Sequence, residues 1–350
     1  MADSQAAEVV IRRQGALGRV TLNRPKAINA LTLAMLRAIR AALDGWCDDS
    51  GILAVAVEGA GERGLCAGGD IRAIYASIQA GDGMAESFWR EEYALNAVIA
   101  AYPKPYAVLM DGLVMGGGVG LSAHGSHRFV TAHTTVAMPE TSIGFFPDVG
   151  GTWLLSRATG QIGTYLGLTG ARIGAPDAIA CGLADRWIDA GQWPAIAEML
   201  AGAATRKAAE AELATIGNPS VVGAKLNSHR AEIDQAFSAA TLEQIISALG
   251  QLGTPFATET VENLRSRAPM ALKVTLAALR HARTLSSLVE CLAIETRLAR
   301  AMSQRSDFLE GIRAVVIDKD QAPRWSPATL EATTAESVQQ IMHGTVEQSR

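Results

Sequence analysis

The sequence contains few cysteines, and none of them forms a recognisable pair. The four are scattered along the chain, at Cys47, Cys66, Cys181 and Cys291. Because no Cys-x-x-Cys motif occurs, the sequence predicts neither a zinc site nor a disulfide framework. Free thiols suit a reducing compartment, so we expect a cytoplasmic protein.

Charge and long apolar runs are scarce as well. Charged residues make up 19% of the chain, and the formal net charge is -4. General nucleic-acid binding needs a basic face, so this class is disfavoured, although a local basic pocket for a phosphate-bearing ligand remains compatible. The N-terminal residues lack the basic stretch followed by an apolar segment that a signal peptide has. No apolar run in the sequence is long enough to span a bilayer. We therefore expect neither a signal peptide nor a membrane anchor.

Hydrophobic residues make up 49% of the 350 residues, which indicates a globular chain with a sizeable core. Up to about residue 192, short apolar runs alternate with helical periodicity; beyond that point the strand-like runs almost vanish. The pattern predicts an α/β fold with three parts: a mixed core over 1–205, a helical region over 206–335 and a polar tail over 336–350.

Local signals predict several element boundaries. Thr32 is placed to cap a helix that runs to about Trp46. The run 106–110 is apolar and short, which favours a buried strand. The periodicity also predicts one helix over 152–167 and another over 192–214.

A glycine run, Gly116-Gly117-Gly118, follows the predicted strand at 106–110 and precedes a predicted helix. A helix start leaves backbone N–H groups without partners and carries partial positive charge. Glycines allow another molecule to approach these groups closely. The stretch is therefore suited to an oxygen that becomes negative during a reaction.

A second glycine turn precedes this run, and two acids follow it. The turn contains Gly68 and Gly69 and leads into a predicted helix. Glu140 and Asp148 fall on a predicted loop after the glycine run. A cradle of N–H groups combined with two carboxyls is typical of acyl chemistry.

Eight short motifs are spread along the chain between residues 66 and 325. They are Cys66-Ala-Gly-Gly-Asp-Ile71, Arg90-Glu-Glu-Tyr93, Lys104-Pro105, Met115-Gly-Gly-Gly-Val-Gly120, Met138-Pro-Glu140, Phe146-Pro-Asp-Val-Gly-Gly151, Asp307-Phe-Leu-Glu-Gly-Ile-Arg313, and Asp318-Lys-Asp320 with Pro323 and Trp325. Together they resemble the enoyl-CoA hydratase/isomerase, or crotonase, superfamily over nearly the whole chain. The second and the last two resemble its branch of 3-hydroxyacyl-CoA hydrolases. A triple glycine alone is weak evidence, whereas the ordered set is specific.

The resemblance implies a crotonase-like spiral of ββα turns, followed by C-terminal helices that help to close the site and often build homo-oligomers. The expected partner is an acyl-CoA substrate, 3-hydroxyisobutyryl-CoA, as in valine breakdown. The expected reaction is hydrolysis of its thioester to the free acid and CoA. No metal and no separate cofactor is expected, because coenzyme A is part of the substrate.

The resemblance also implies roles for residues that match its motifs. The backbone N–H groups of Gly69 and Gly117 are expected to form an oxyanion hole, and Gly117 to contact the substrate. Glu140 is expected either to attack the thioester carbonyl or to activate water, and the sequence leaves both routes open. Asp148 is expected to hold the substrate hydroxyl or to pass a proton to the leaving sulfur. Glu92 matches a glutamate that contacts the substrate.

Each assignment has a simpler structural alternative. The glycines can form two ordinary tight turns. Glu140 can be a capping acid, and Asp148 a turn aspartate after Pro147. Glu92 can be a solvated acid beside Arg90.

One absence favours hydrolysis over hydration. Hydratases of the superfamily carry a second glutamate shortly after the triple glycine, and the matching position here is Gly120. Asp148 falls where those hydratases usually have a small residue. An enoyl-CoA hydratase or isomerase is the alternative function, and a non-catalytic subunit that binds CoA esters is another.

Overall fold

The computed structural model of the protein describes residues 7–344. Strands and helices alternate in the first half of the chain and helices fill the second half, so the predicted α/β class with a helical C-terminal region is confirmed. The described strands are β1 Val9–Gln14, β2 Leu17–Leu22, β3 Ala54–Gly59, β4 Tyr106–Met110, β5 Leu113–Met115, β6 His127–Val130, β7 Thr135–Ala137, β8 Ile173–Gly174 and β9 Arg186–Trp187.

The larger sheet has six strands in the order β1-β2-β3-β4-β6-β9. β1 and β2 form an antiparallel hairpin, and every later pair of neighbours is parallel. The first four residues of β3 are all apolar and buried, as expected for a parallel strand that is covered on both faces. The smaller sheet has the order β5-β7-β8.

The helices confirm the predicted cap at Thr32, whose hydroxyl accepts the Met35 N–H at 3.2 Å. No helix among residues 7–344 combines the length and apolar character needed to cross a membrane. The described α-helices are α1 Leu33–Cys47, α2 Ile71–Ala80, α3 Met84–Ala100, α4 Gly117–Ser122, α5 Gly151–Ser156, α6 Ile162–Thr169, α7 Ala175–Ala180, α8 Trp193–Ala201, α9 Arg206–Leu213, α10 Arg230–Phe237, α11 Leu242–Leu252, α12 Pro255–Ser266, α13 Pro269–Ala282, α14 Leu288–Ser303, α15 Ser306–Ile312 and α16 Ala335–Met342.

Two long helices predicted from periodicity are each broken by a turn. The predicted helix over 152–167 is α5 and α6, separated where Gly160 adopts a φ of 63°. The predicted helix over 192–214 is α8 and α9, and Thr205 starts α9 by accepting the Ala208 N–H at 3.1 Å. Apolar periodicity continues across both breaks, so it does not reveal them.

The segment predicted to be a polar tail contains helix α16. Thr334 caps this helix by accepting the Ser337 N–H at 3.1 Å. Val338 and Ile341 are buried, and the helix packs on α13 and α14. Two apolar residues at helical spacing are therefore enough to dock an otherwise polar segment. Residues 345–350 of the predicted tail lie outside the described part.

The described chain forms two compact units, each built from three separate segments. The first unit, which holds the six-stranded sheet, comprises residues 7–70, Ala94–Val136 and Ile173–Ala224. The second, almost entirely helical, comprises Ile71–Tyr93, Ala137–Arg172 and 225–344. The predicted division into 1–205, 206–335 and 336–350 follows other boundaries and stays a prediction.

Candidate active site

Two glycine turns lie side by side in the first unit. The Cys66 N–H donates to the Leu113 carbonyl at 3.1 Å, and the Met115 N–H donates to the Cys66 carbonyl at 2.9 Å. This short ladder places the turn that contains Gly69 next to the turn that contains Gly117. The structure therefore brings together the two glycines predicted to form the oxyanion hole.

The amides of Gly69 and Gly117 are available as donors, since within residues 7–344 neither N–H has a hydrogen-bond acceptor. Backbone donors inside a folded chain are nearly always paired, so two open donors on adjacent turns suit a ligand oxygen. Each follows a glycine with positive φ, 107° at Gly68 and 47° at Gly116, which side chains resist. The catalytic role of these amides stays a prediction.

Glu140 opens a short 3-10 helix, Glu140–Ile143, that follows β7. Gly144 ends this turn with a φ of 73°, and the Phe145 N–H donates to the Glu140 carbonyl at 3.0 Å. The Glu140 side chain is buried, and its Oε2 has no hydrogen-bond partner in the part of the chain that the structure describes. One carboxyl oxygen therefore remains for a ligand, which a purely capping role does not require.

Helix α15 supports the turn that carries Glu140. A Cβ at Gly144 would lie 2.6 Å from the Asp307 carbonyl oxygen. A Cβ at Gly311 would lie 2.5 Å from the backbone carbonyl carbon of Ile143. The motif at 307–313 therefore has a structural role, because it lets backbone pack directly on backbone beneath Glu140.

Asp148 is the first residue of a tight turn over residues 148–151. The Gly151 N–H donates to the Asp148 carbonyl at 2.6 Å. Val149 has a φ of 54°, which is strained for a β-branched residue. The Asp148 side chain is buried, and its Oδ2 accepts the hydroxyl of Tyr93 at 2.7 Å. A turn is present, as the simpler alternative expects, but it presents a buried carboxyl to a tyrosine.

Glu92 lies on α3 and is only 3% exposed. Its Oε1 has no hydrogen-bond partner among residues 7–344. Arg90 lies 3.7 Å from Glu91 and is largely exposed. The alternative of a solvated acid at Glu92 is therefore wrong, and Glu92 offers an open oxygen in a buried setting.

The three predicted acids lie together in the second unit and influence one another's protonation. Burial raises the pKa of Glu92 and of Glu140, and the charge of Asp148 raises both pKa values further. Burial also raises the pKa of Asp148 to about 6, and the Tyr93 hydrogen bond opposes this rise. Carboxyls whose pKa values are raised in this way can hold or transfer protons near neutral pH.

Four aromatic side chains on the segments that carry these acids, or on α15, pack on one another in the second unit. Phe145 packs on Phe146 with ring centroids 4.8 Å apart and on Phe308 at 4.9 Å. Trp89 stacks on Phe145 at 5.5 Å. All four rings are buried. Glu92, Glu140 and Asp148 are themselves buried, and electrostatic interactions are stronger where water is excluded.

Two further residues near the acids were given no role from the sequence. Tyr93 closes the matched motif at 90–93, but its hydrogen bond to Asp148 was not predicted. Glu295, on α14, is a further buried carboxyl whose pKa burial raises to about 8. It lies within one of many helical patterns, so sequence reasoning missed it.

Replacing Tyr93 with phenylalanine is expected to lower kcat about tenfold to a hundredfold. The variant loses a hydrogen bond to an ionisable carboxyl, which contributes about 1.5–3 kcal/mol. The pKa of Asp148 should therefore rise, and the corresponding ionisation in the pH–rate profile should move to higher pH. Tyr102→Phe is the control, because the Tyr102 hydroxyl donates to the Leu43 carbonyl. An unchanged profile in Tyr93→Phe would contradict the assigned contact.

The free protein is expected to lose stability as pH rises from about 4 to 8. An acid whose folded-state pKa is raised keeps its proton longer when folded, so folding is disfavoured above the unfolded pKa. For Asp148, a pKa of about 6 against an ordinary value of 3.8 corresponds to about 3 kcal/mol between pH 4 and 6. Urea unfolding at pH 4, 6 and 8 measures this. Asp148→Asn should gain stability over the wild type as pH rises; a constant difference would contradict the shift.

No metal site is indicated among the described residues. No group of three or more His, Cys, Asp or Glu side chains in residues 7–344 is arranged to hold a metal ion. The Cys66 thiol is buried and contacts the backbone of Gly68, which suits a small packing residue.

The chain is similar to known proteins over nearly all of its length. Residues 17–342 match the family described as enoyl-CoA hydratase/isomerase. The 3-hydroxyisobutyryl-CoA hydrolase, mitochondrial, of Gallus gallus is 42% identical over 341 residues, with 95% of this chain and 88% of the relative covered. The protein of the same name from Homo sapiens is 40% identical, with the same coverage.

Two solved structures share the fold at a similar level of identity. A carnitinyl-CoA dehydratase from Mycobacterium thermoresistibile has a TM-score of 0.89 and 43% identity, and the match covers 96% of each chain. An enoyl-CoA hydratase from Rhodobacter sphaeroides 2.4.1 has a TM-score of 0.90 and 42% identity, with 96% of this chain and 97% of the other covered. These similarities confirm the predicted crotonase-like fold.

Proposed function

The chain belongs to the enoyl-CoA hydratase/isomerase family, and we propose that within it the protein hydrolyses the thioester of 3-hydroxyisobutyryl-CoA to the free acid and CoA. The observation that carries the proposal is the buried group of Glu92, Glu140 and Asp148. The vertebrate relatives named 3-hydroxyisobutyryl-CoA hydrolase support the substrate.

In the proposed mechanism the amides of Gly69 and Gly117 donate to the thioester oxygen as it becomes negative. The ionised Glu140 either attacks the carbonyl carbon or removes a proton from an attacking water. The first route forms a mixed anhydride, which water then hydrolyses; the second gives the acid directly. Asp148, whose pKa of about 6 allows it to carry a proton near neutral pH, gives that proton to the sulfur as the carbon–sulfur bond breaks. Removing one oxyanion donor typically costs about a hundredfold or more in rate.

In this proposal Glu92 binds the substrate hydroxyl through hydrogen bonds. Burial and the charges of Asp148 and Glu140 raise its pKa well above the ordinary value, which favours the neutral form. A neutral carboxyl both donates and accepts a hydrogen bond, as a hydroxyl partner requires. Recognition of the hydroxyl by a buried polar group gives stronger selectivity than an apolar pocket does.

A hydratase is the second candidate, because the two solved structures above are named dehydratase and hydratase. Hydration across a double bond uses two acids around one water in this superfamily. The matching position, two residues after the triple glycine, is Gly120, which lies buried in α4 and has no carboxyl to offer. The hydrolase is therefore the function that the arrangement of acids favours.

The test is an assay of the purified protein with 3-hydroxyisobutyryl-CoA and with crotonyl-CoA in parallel. Free thiol release is followed for the first substrate, and loss of the enoyl absorbance for the second. Rapid thiol release with an inert enoyl ester is the expected result. Loss of the enoyl absorbance without thiol release would establish the hydratase. Inactivity on both, with tight binding of either ester, would favour the non-catalytic subunit.

The proposal extends to the cellular setting. Hydrolysis of 3-hydroxyisobutyryl-CoA places the protein in valine catabolism. The relatives are named mitochondrial, whereas the free thiols are compatible with any reducing compartment. A cytoplasmic location stays our proposal, checked by fractionation of native cells. Homo-oligomerisation through the C-terminal helices is likewise proposed, and light scattering checks it.

A further inference from the structure

Glu295 is a fully buried carboxyl that the proposed mechanism does not use. It lies in the middle of α14 and has 0% exposure. Its Oε2 accepts the Gly150 N–H at 2.6 Å. Its Oε1 accepts the Thr152 N–H at 3.1 Å and also the Thr152 hydroxyl. One side chain thus takes three hydrogen bonds from the backbone and side chain just beyond Asp148.

These hydrogen bonds cap helix α5 from a distant part of the sequence. The first N–H groups of a helix lack acceptors within the helix. Gly150 is the N-cap of α5 and has no side chain that can accept them. Glu295 supplies the missing acceptor from 145 positions further along the chain.

The capped segment is strained, and it carries Asp148. Val149 has a φ of 54°, which a β-branched residue rarely adopts, and Gly150 continues the turn with a φ of 76° that glycine tolerates. Strained conformations of this kind persist only where the surroundings hold them firmly. Asp148 is held at two points, by the Tyr93 hydroxyl on its side chain and by Glu295 on the backbone that follows.

The ionisable groups that face Glu295 come from several elements of the second unit. The charge of Glu295 raises the pKa of Tyr93 on α3 and the pKa of Glu140. The charge of Asp148 raises the pKa of Glu295 in turn. The Cys291 thiol lies 3.7 Å from Oε1, one turn earlier on α14. Burying a carboxyl near other ionisable groups costs folding free energy. If Glu295 only filled space, an apolar residue would therefore be more stable at this position.

We infer that Glu295 is a positioning residue for the hydrolysis, which sets the reactive geometry of Asp148 by holding the 148–152 turn. This inference rests on the proposed function. It assigns to the C-terminal helical region a direct influence on the rate of the chemical step. Displacement of a reacting group by about 1 Å can cost about a hundredfold in rate.

Two substitutions test the two acceptor oxygens of Glu295 and its reach separately. Glu295→Gln keeps the length, but only its amide oxygen can accept, so either the Gly150 N–H or the Thr152 N–H faces an NH2 group instead of an acceptor. Glu295→Asp keeps the carboxyl group but is one methylene shorter. Both variants are expected to lower kcat about tenfold to a hundredfold while the KM for 3-hydroxyisobutyryl-CoA stays within about twofold. Leu298→Ala is the matched control, because Leu298 is a fully buried residue on the same helix.

A double variant tests whether Glu295 works through Asp148. In an Asp148→Asn background, Glu295→Gln should cost little further rate, because the group that it positions is already lost. Fully additive losses would overturn the inference. So would a kcat within twofold of wild type in Glu295→Gln, or a loss of kcat in Leu298→Ala equal to that in the Glu295 variants.

Hydrogen exchange separates failure of this inference from failure of the proposed function. Peptides that cover residues 146–156 should exchange faster in Glu295→Gln than in the wild type or Leu298→Ala. This measurement needs no turnover, so it tests the hold on the turn even if the wild type releases no thiol. Unchanged exchange in Glu295→Gln would overturn the inference, whereas inactivity of the wild type alone would overturn only the hydrolase.

Discussion

Replacing Glu140 with glutamine is expected to lower the rate of thiol release from 3-hydroxyisobutyryl-CoA by about a thousandfold or more. Glutamine has the same shape but can neither attack a thioester as a carboxylate nor remove a proton from water. The Glu140 side chain is buried and leaves Oε2 without a partner among the described residues, so the substitution disturbs little of the packing. Binding of the acyl-CoA, measured by calorimetry, should therefore remain close to that of the wild type.

The control for this prediction is Glu262→Gln, at an exposed position on α12. It makes the same chemical change outside the acid group and should keep full activity. Turnover near the wild-type rate in Glu140→Gln would remove Glu140 from the chemistry. Loss of binding together with loss of rate would instead indicate that Glu140 only shapes the site.

Asp148→Asn should lower kcat by about a hundredfold or more, because the variant cannot protonate the leaving sulfur. Asparagine keeps the size of the side chain and can still accept the Tyr93 hydroxyl, which lies 2.7 Å from Oδ2 in the wild type. The loss should depend on the leaving group. A thioester of an aromatic thiol, which leaves readily without a proton, should be hydrolysed by Asp148→Asn at nearly the wild-type rate.

That comparison also separates the two roles predicted for Asp148. If the aspartate only holds the substrate hydroxyl, the aromatic thioester should lose as much rate as the CoA ester does. The loss should then disappear with isobutyryl-CoA, which has no hydroxyl. Asp48→Asn, at an exposed position after α1, provides the control for the amide substitution itself.

The fold was predictable where the signal is local. The cap at Thr32 and the strand at 106–110 depend on neighbouring residues, and both occur as expected. The turn between α5 and α6 was missed because it depends on a distant residue: Asp234 accepts the Gln161 N–H at 2.7 Å. The two compact units could not be foreseen either, since their segments are interleaved along the chain.

In the candidate site, too, the residues in local motifs were predictable and the contacts between distant segments were not. Glu140, Asp148 and the two glycine turns belong to short motifs that sequence comparison can detect. The burial of Glu92 and the contact between Tyr93 and Asp148 depend on how α3 packs, which no short pattern encodes. Glu295 was the hardest of these residues to predict from the sequence. Its hydrogen-bond partners belong to a turn in another part of the chain, and its helix resembles any amphipathic helix.

The packing of α15 on the Glu140 turn has a consequence for synthesis of the chain. A ribosome that has completed α13 has already made Glu92, Glu140 and Asp148. It has not yet made Glu295, nor the backbone at Asp307 and Gly311 that lies against the turn. Because a domain generally folds as a unit, the nascent chain carries its acids without this support until it is nearly complete. We therefore expect activity to appear only near the end of synthesis, in one step.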